Sequence, residues 1–164
     1  MKIRKYEEDD KQAVAELFAD TVRSVNSQHY SDKQIDKWAA DHIDGDFFHN
    51  EFEDCIVYVA EIEGQIVGFV SARPHRKLLH HLFVSKNHLR KGIAKKLCDK
   101  MEQTLRKEGL GEVFTDASIT ARPFFENYGF IPLEKQEVEK DGIHFVNYKM
   151  RKTFLSDEQS QAAD

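Results

Sequence analysis

The sequence predicts a mixed α/β fold, and three features lead there. Strand-like runs, the first of them rich in β-branched residues, come in pairs around two-residue loops ending in glycine, at Glu63-Gly64 and Asp141-Gly142. Other segments carry apolar residues three and four apart, above all Ile93, Ala94, Leu97, Cys98, Met101 and Leu105. No repeat or long linker separates the two kinds of pattern. One domain over residues 1–154 is therefore expected, with a polar tail at 155–164 expected to be disordered.

Taken in order, Ile3 to Tyr6 reads as a short opening strand. Asp9 or Asp10 then caps a helix whose apolar positions Val14, Leu17, Phe18 and Val22 share one face. A second helix begins at Ser31-Asp32 and carries Ile35, Trp38 and Ala39. Asp41 to Asp54 has no clean period and reads as a loop or irregular helical turn. Ile56 to Ile62 and Gln65 to Ala72 form a hairpin, and Leu78 to Val84 is a fourth strand. The stripe from Gly92 to Lys107 is a long helix stopped by Gly109. Val113 to Ala117 is a fifth strand, and Ala121 to Tyr128 a short helix ended by Gly129. Ile131 to Val138 and Ile143 to Met150 make the last hairpin. The order is strand, two helices, three strands, helix, strand, helix, two strands.

Bulk properties exclude several function classes. A net charge of −5 argues against a broad nucleic-acid footprint, which needs a basic surface. It weakly favours a neutral or cationic substrate. No apolar run is long enough to span a membrane, so no membrane partner is expected. Met1 to Tyr6 leads into acids rather than an apolar segment, so a cytoplasmic protein is expected. Cys55, in a predicted strand, and Cys98, on a helix, then read as reduced packing residues. The histidines form no HExxH and no CxxC occurs, so no metal site is expected.

The most informative segment is Leu89-Arg90-Lys91-Gly92-Ile93-Ala94-Lys95, which joins a strand to the long helix. A basic, glycine-containing turn at a helix N-terminus offers free amides and a dipole to an anion such as phosphate. The segment fits neither a Walker loop nor a GxGxxG fingerprint. On its own it is equally well a helix start at which Gly92 permits a tight turn.

Its surroundings narrow the choice. Leu82-Phe83-Val84, then Leu89 to Ala94, then Ser118-Ile119-Thr120-Ala121-Arg122-Pro123-Phe124-Phe125-Glu126-Asn127-Tyr128-Gly129-Phe130, together resemble the GNAT superfamily of N-acetyltransferases. Ser27 to Ser31, with Trp38 and Asp116-Ala117-Ser118, looks like its YafP-type branch. The resemblance runs from about Ile3 to Phe154. It implies an acyl-CoA N-acyltransferase fold, with a mostly antiparallel central sheet, one splayed parallel pair and flanking helices. Acetyl-CoA, as co-substrate, would lie between the splayed strands. Leu82, Phe83 and Val84 would then meet the pantetheine arm. Leu89, Arg90, Lys91, Gly92, Ile93, Ala94 and Lys95 would wrap the pyrophosphate, chiefly through backbone amides. Ser118 stands where many members carry an asparagine that reaches the arm, and Phe125 where they carry a tyrosine. Leu89 replaces the usual Gln or Arg.

The chemistry implied is acetyl transfer to a small-molecule or peptide amine. The amine must be neutral, the oxyanion stabilised and the thiolate released. By resemblance, a backbone N–H near Leu82 or Phe83 serves the oxyanion. Phe125 has no hydroxyl for the leaving group, and Tyr128, three residues on, either supplies that proton or simply packs. His80 is the candidate base; alternation puts it on the face of Leu78 and Leu82, with His81 opposite. Glu61 and Tyr58 are further candidates, and a strand-filling role for the histidines stays open. The acceptor pocket is expected between the first third and the last hairpin, where His29, Tyr30, Trp38, Phe47 and Phe48 form an aromatic set equally suited to core packing. A non-catalytic acetyl-CoA-binding module is the alternative, and a structural domain with an incidental glycine turn a third reading. Whether the chain forms a homodimer is not legible in its sequence.

Overall fold

In the computed structural model, which describes residues 1–40 and 44–154, seven strands form one sheet in the order β1-β2-β3-β4-β5-β7-β6. The strands are β1 (Lys2–Lys5), β2 (Ile56–Ile62), β3 (Gln65–Arg73), β4 (Leu78–Val84), β5 (Glu112–Ser118), β6 (Ile131–Lys140) and β7 (Ile143–Thr153). The helices are α1 (Lys11–Ser24), α2 (Asp32–Ala40), α3 (Gly45–Glu51), α4 (Ile93–Lys107) and α5 (Arg122–Asn127). Every ladder is antiparallel except the pairing of β4 with β5. The tail at 155–164, and the part of the aperiodic segment at 41–43, lie outside the described residues.

Both hairpins turn as their glycines predict. Glu63 and Gly64 have φ of 50° and 77°, and Asp141 and Gly142 have 50° and 79°. Two successive left-handed residues match the twist of the strands that they join.

Each sheet face carries its own core. On one face, α4 lays Ile93, Leu97, Met101 and Leu105 against Val67, Val70, Ala72, Leu79 and Val113. Burying Leu97 or Met101, both fully inaccessible, contributes roughly 1.5–3 kcal/mol each. Gly68 in β3 lets α4 come this close: a Cβ there would lie 3.1 Å from the Phe83 carbonyl oxygen and 3.2 Å from Leu97 Cδ1. On the other face, α1, α2 and α3 bring Val14, Phe18, Val22, Ile35 and Phe48 onto Val57, Val59 and Phe69.

Two sequence expectations are corrected here. Asp10 precedes α1 but makes no side-chain cap. Its carboxylate instead accepts from Arg4 (2.8 and 2.9 Å) and from the Glu7 amide (2.8 Å), tying β1 to α1. The aperiodic segment also contains a third helix, α3. The Asp44 carboxylate accepts from the Asp46 amide at its start, and Phe48 and Phe52, four residues apart, are both buried.

Candidate functional site

The parallel pair is short by construction. β4 and β5 are paired only at Leu78↔Phe114 and Leu79↔Thr115. At that last rung the Thr115 hydroxyl donates to the Leu79 carbonyl at 3.0 Å. Beyond it β4 continues to Val84 and β5 to Ser118 without a ladder between them. A strand edge left unpaired in this way presents main-chain donors and acceptors to an extended amide chain.

At the open end of β4 the chain turns into α4. Arg90 and Gly92 are left-handed, with φ of 59° and 76°, and the Gly92 carbonyl accepts from Lys96 at 3.1 Å to start the helix. No side chain caps α4. Among the described residues, no protein group accepts from the amides of Ile93, Ala94 or Lys95. α4 has 15 residues, so a full helix dipole ends at this bare turn. Leu89, Arg90, Lys91 and Gly92 are exposed, Ala94 is half-buried and the Ile93 side chain anchors the turn in the core. Lys95 is drawn along the helix to Asp99 at 2.7 Å.

Leu82 packs towards α4, Phe83 stands on the opposite face, 4.6 Å from the Phe18 ring, and Val84 is buried. The Ser118 hydroxyl accepts from the Ala121 amide at 3.0 Å and so starts the turn into α5. Phe125 is 3 % exposed and packs edge-on against Phe130 at 5.1 Å, as a core residue. The Tyr128 hydroxyl donates to Asp99 (2.8 Å) and Glu102 (3.3 Å) on the flank of α4, with the Lys152 ammonium 4.0 Å from its ring. Burial first, then the bond to Asp99, raises its pKa far above that of an ordinary phenol, so it holds its proton tightly. Tyr58, a further base candidate, bonds Thr104 at 2.8 Å, and Glu61 bonds Arg4 at 2.8 Å.

The histidines differ from strict alternation. β3 pairs Ser71 with His81 but Ala72 with Leu79, which leaves His80 as an extra residue in a β-bulge. The bulge breaks the predicted pattern: Leu79 joins the α4 core with Leu82, while His80 and His81 both turn towards α3. His81 Nδ1 is 2.8 Å from the Ser71 hydroxyl, and the two imidazole centroids are 4.0 Å apart. His80 Nε2 lies 3.1 Å from Glu51 Oε1, and the same oxygen accepts from Arg73 at 2.7 Å. Arg73 also reaches Asp54 at 3.2 Å. Burial pushes the Glu51 carboxyl up, but hydrogen bonds from Arg73 and His80 outweigh it and hold it below the usual range. Burial lowers the His80 pKa, Glu51 opposes it, and Arg73 and Arg76 add to the lowering. His80 is therefore neutral near pH 7. Sequence reading missed Glu51. Its signal was the Asp44 cap followed by the Phe48/Phe52 spacing, which places Glu51 on a helix.

The first third and the last hairpin do meet. Tyr30, Trp38 and Phe145 form an aromatic cluster with centroids 5.4–6.5 Å apart. The Tyr30 hydroxyl accepts from the Ile119 amide (2.9 Å) and donates to the Val146 carbonyl (2.8 Å). Tyr30 and Phe48 are buried, so they serve the core, whereas Phe47 is exposed and His29 bonds Thr120 at 2.9 Å.

Known proteins resemble this chain in sequence and in fold. Residues 26–152 match the acetyltransferase (GNAT) domain family. The chain is 38 % identical over 151 residues to the uncharacterized N-acetyltransferase YafP of Escherichia coli K12, covering 92 % of this chain and 95 % of that one. A GCN5-related N-acetyltransferase from Rhodopseudomonas palustris superposes with a TM-score of 0.88 at 24 % identity, over 93 % of this chain and 95 % of that one. The PaiA N-acetyltransferase of Thermoplasma acidophilum, solved in complex with coenzyme A, superposes with a TM-score of 0.79 at 18 % identity, over 93 % and 98 %.

Proposed function

Because the chain belongs to the GNAT acetyltransferase family, we propose that it transfers the acetyl group of acetyl-CoA directly to the primary amine of a small molecule or peptide. One observation carries the reading. The uncapped N-terminus of α4 follows β4 in the chain, and the pairing of β4 with β5 ends at Leu79↔Thr115. In this reading the amides of Gly92 to Lys95 hold the diphosphate, with Arg90 and Lys91 adding exposed, salt-screened charge. The unpaired edge from Leu82 to Val84 aligns the amide-rich arm, and an amide near Leu82 or Phe83 serves the developing oxyanion. Ser118 and Phe125 shape the β5 side through the turn that they stabilise.

The acceptor amine attacks the thioester carbonyl, its proton passes to a base and the thiolate leaves. His80, neutral and 27 % exposed at its side chain, is the base in this reading. Tyr128 gives up its predicted role as acid, because its proton is held by two carboxylates. A thiol with a pKa of about 8.5 leaves as thiolate without help. Residues 1–154 act here as one domain. Two free cysteines, with Cys55 pushed up to about 11 by burial, suit a reducing cytoplasm. Release of free CoA thiol across a panel of amines tests the proposal.

Phe125, buried where the family's pattern has a tyrosine, favours a second reading as an acetyl-CoA-binding regulatory module. Tight binding by calorimetry with no turnover of any amine would select it. Absence of binding would sink both.

A further inference from the structure

Four groups from four segments converge on the bulge of β4. Glu51 comes from the end of α3, Arg73 from the end of β3, Arg76 from the turn that follows, and His81 from β4 itself. Arg73 is held on both sides, by Glu51 and Asp54, and is mostly buried. That clamp leaves the Glu51 carboxylate little freedom, and its Oε1 faces His80 Nε2 at 3.1 Å. His81 Nδ1 is engaged with the Ser71 hydroxyl at 2.8 Å.

An ionised carboxylate can only accept a hydrogen bond. A neutral imidazole 3.1 Å from it must therefore carry its proton on Nε2 and keep the lone pair on Nδ1. We propose that Glu51, anchored by Arg73, is a positioning residue that fixes the tautomer and ring orientation of His80, leaving Nδ1 as the atom that takes the acceptor amine's proton. The assignment rests on the acetyltransferase reading above, in which His80 is the base. It deepens that reading by adding the group that aims it. The bulge is what makes the arrangement reachable: strict alternation would have turned His80 towards α4, away from Glu51.

The test uses the full chain with ¹⁵N-labelled histidine and two-bond proton–nitrogen correlation, which reports the protonation of each ring nitrogen. The chain has 8 histidines, and the spectrum of His80→Gln identifies the missing one. The parent is expected to show His80 as a neutral Nε2–H tautomer at pH 7. In Glu51→Gln the amide can donate or accept, so both tautomers appear. The His80 titration midpoint also falls by about one unit, as the loss of an adjacent negative charge requires. Turnover falls about tenfold or more, with the KM for acetyl-CoA unchanged. Glu51→Asp, which keeps the charge, brings the midpoint back towards that of the parent. The same tautomer and midpoint in parent and Glu51→Gln would overturn the proposal, even if the variant were less stable. Failure of the parent to acetylate any amine would sink the acetyltransferase reading separately, and the ring-nitrogen spectra would still decide whether Glu51 sets His80.

Discussion

Replacing Gly92 by alanine separates a backbone effect on folding from an effect on the bare turn. Gly92 has φ of 76°, and a Cβ built there meets nothing within 4 Å, so the folded protein suffers backbone strain but no clash. Left-handed backbone costs a non-glycine residue about 1–2 kcal/mol. The stiffer unfolded chain returns roughly 0.4–1 kcal/mol of that. The net loss is about 1 kcal/mol, or a melting temperature lower by about 2–4 °C for a chain of this size. Cofactor affinity should respond far more strongly. A turn that relaxes towards negative φ swings an amide off the diphosphate, and one hydrogen bond to a charged group is worth about 1.5–3 kcal/mol. Calorimetry with acetyl-CoA should therefore show affinity weakened by about 10- to 100-fold. Gly64 supplies the control. Its φ is 77°, its Cβ would also meet nothing, and it lies in the β2–β3 hairpin turn. Gly64→Ala should cost similar stability and leave affinity untouched. Equal affinity in Gly92→Ala and Gly64→Ala would refute the reasoning.

Three further outcomes follow from the packing and the ion pairs. Tyr128→Phe should leave turnover within about threefold of the parent, less than loss of a general acid would cost, and steady-state kinetics would decide it. Gly68→Ala should destabilise by about 1–3 kcal/mol in denaturant melts, because its Cβ presses on the Phe83 carbonyl 3.1 Å away. The Arg4 guanidinium, with the Glu7 amide, holds the Asp10 carboxyl below its ordinary range against the opposing effect of burial. A carboxyl depressed in the folded state stabilises above its unfolded pKa of about 4, and that stability is lost as pH falls through the folded value. Asp10→Asn should therefore be less stable than the parent at pH 7, with the gap closing below about pH 4 in melts across pH.

Much of the sheet could be read from the chain because its signals are local. The ends of β2 follow from a β-branched run, those of β4 from its apolar residues at either end, and both glycine turns from residues that tolerate positive φ. The α4 stripe is long enough for its period to be unmistakable. α3 could be read only as a loop or an irregular helical turn because seven residues span barely two turns, and its two aromatics read as well in a loop. The bulge at His80 could not be read at all. It is a property of the register between β3 and β4, which depends on how α4 and α3 claim opposite faces of the sheet. Whatever depends on that register was invisible with it: the turn of His80 towards α3, and its bond to Glu51. Asp10 misled for a related reason, since a carboxylate before a helix reads as a cap until Arg4, six residues earlier, takes it.

The hydroxyl of Thr115 on the carbonyl of Leu79 works as an end-stop. On the proposed function it would set how deep a linear guest can slide before the two strands close on it, with each strand residue worth about 3.3 Å of travel. A valine there would remove the clasp while keeping the shape. The seam would then be free to unzip further, and on the acetyltransferase proposal the variant should accept bulkier acyl chains more readily than the parent.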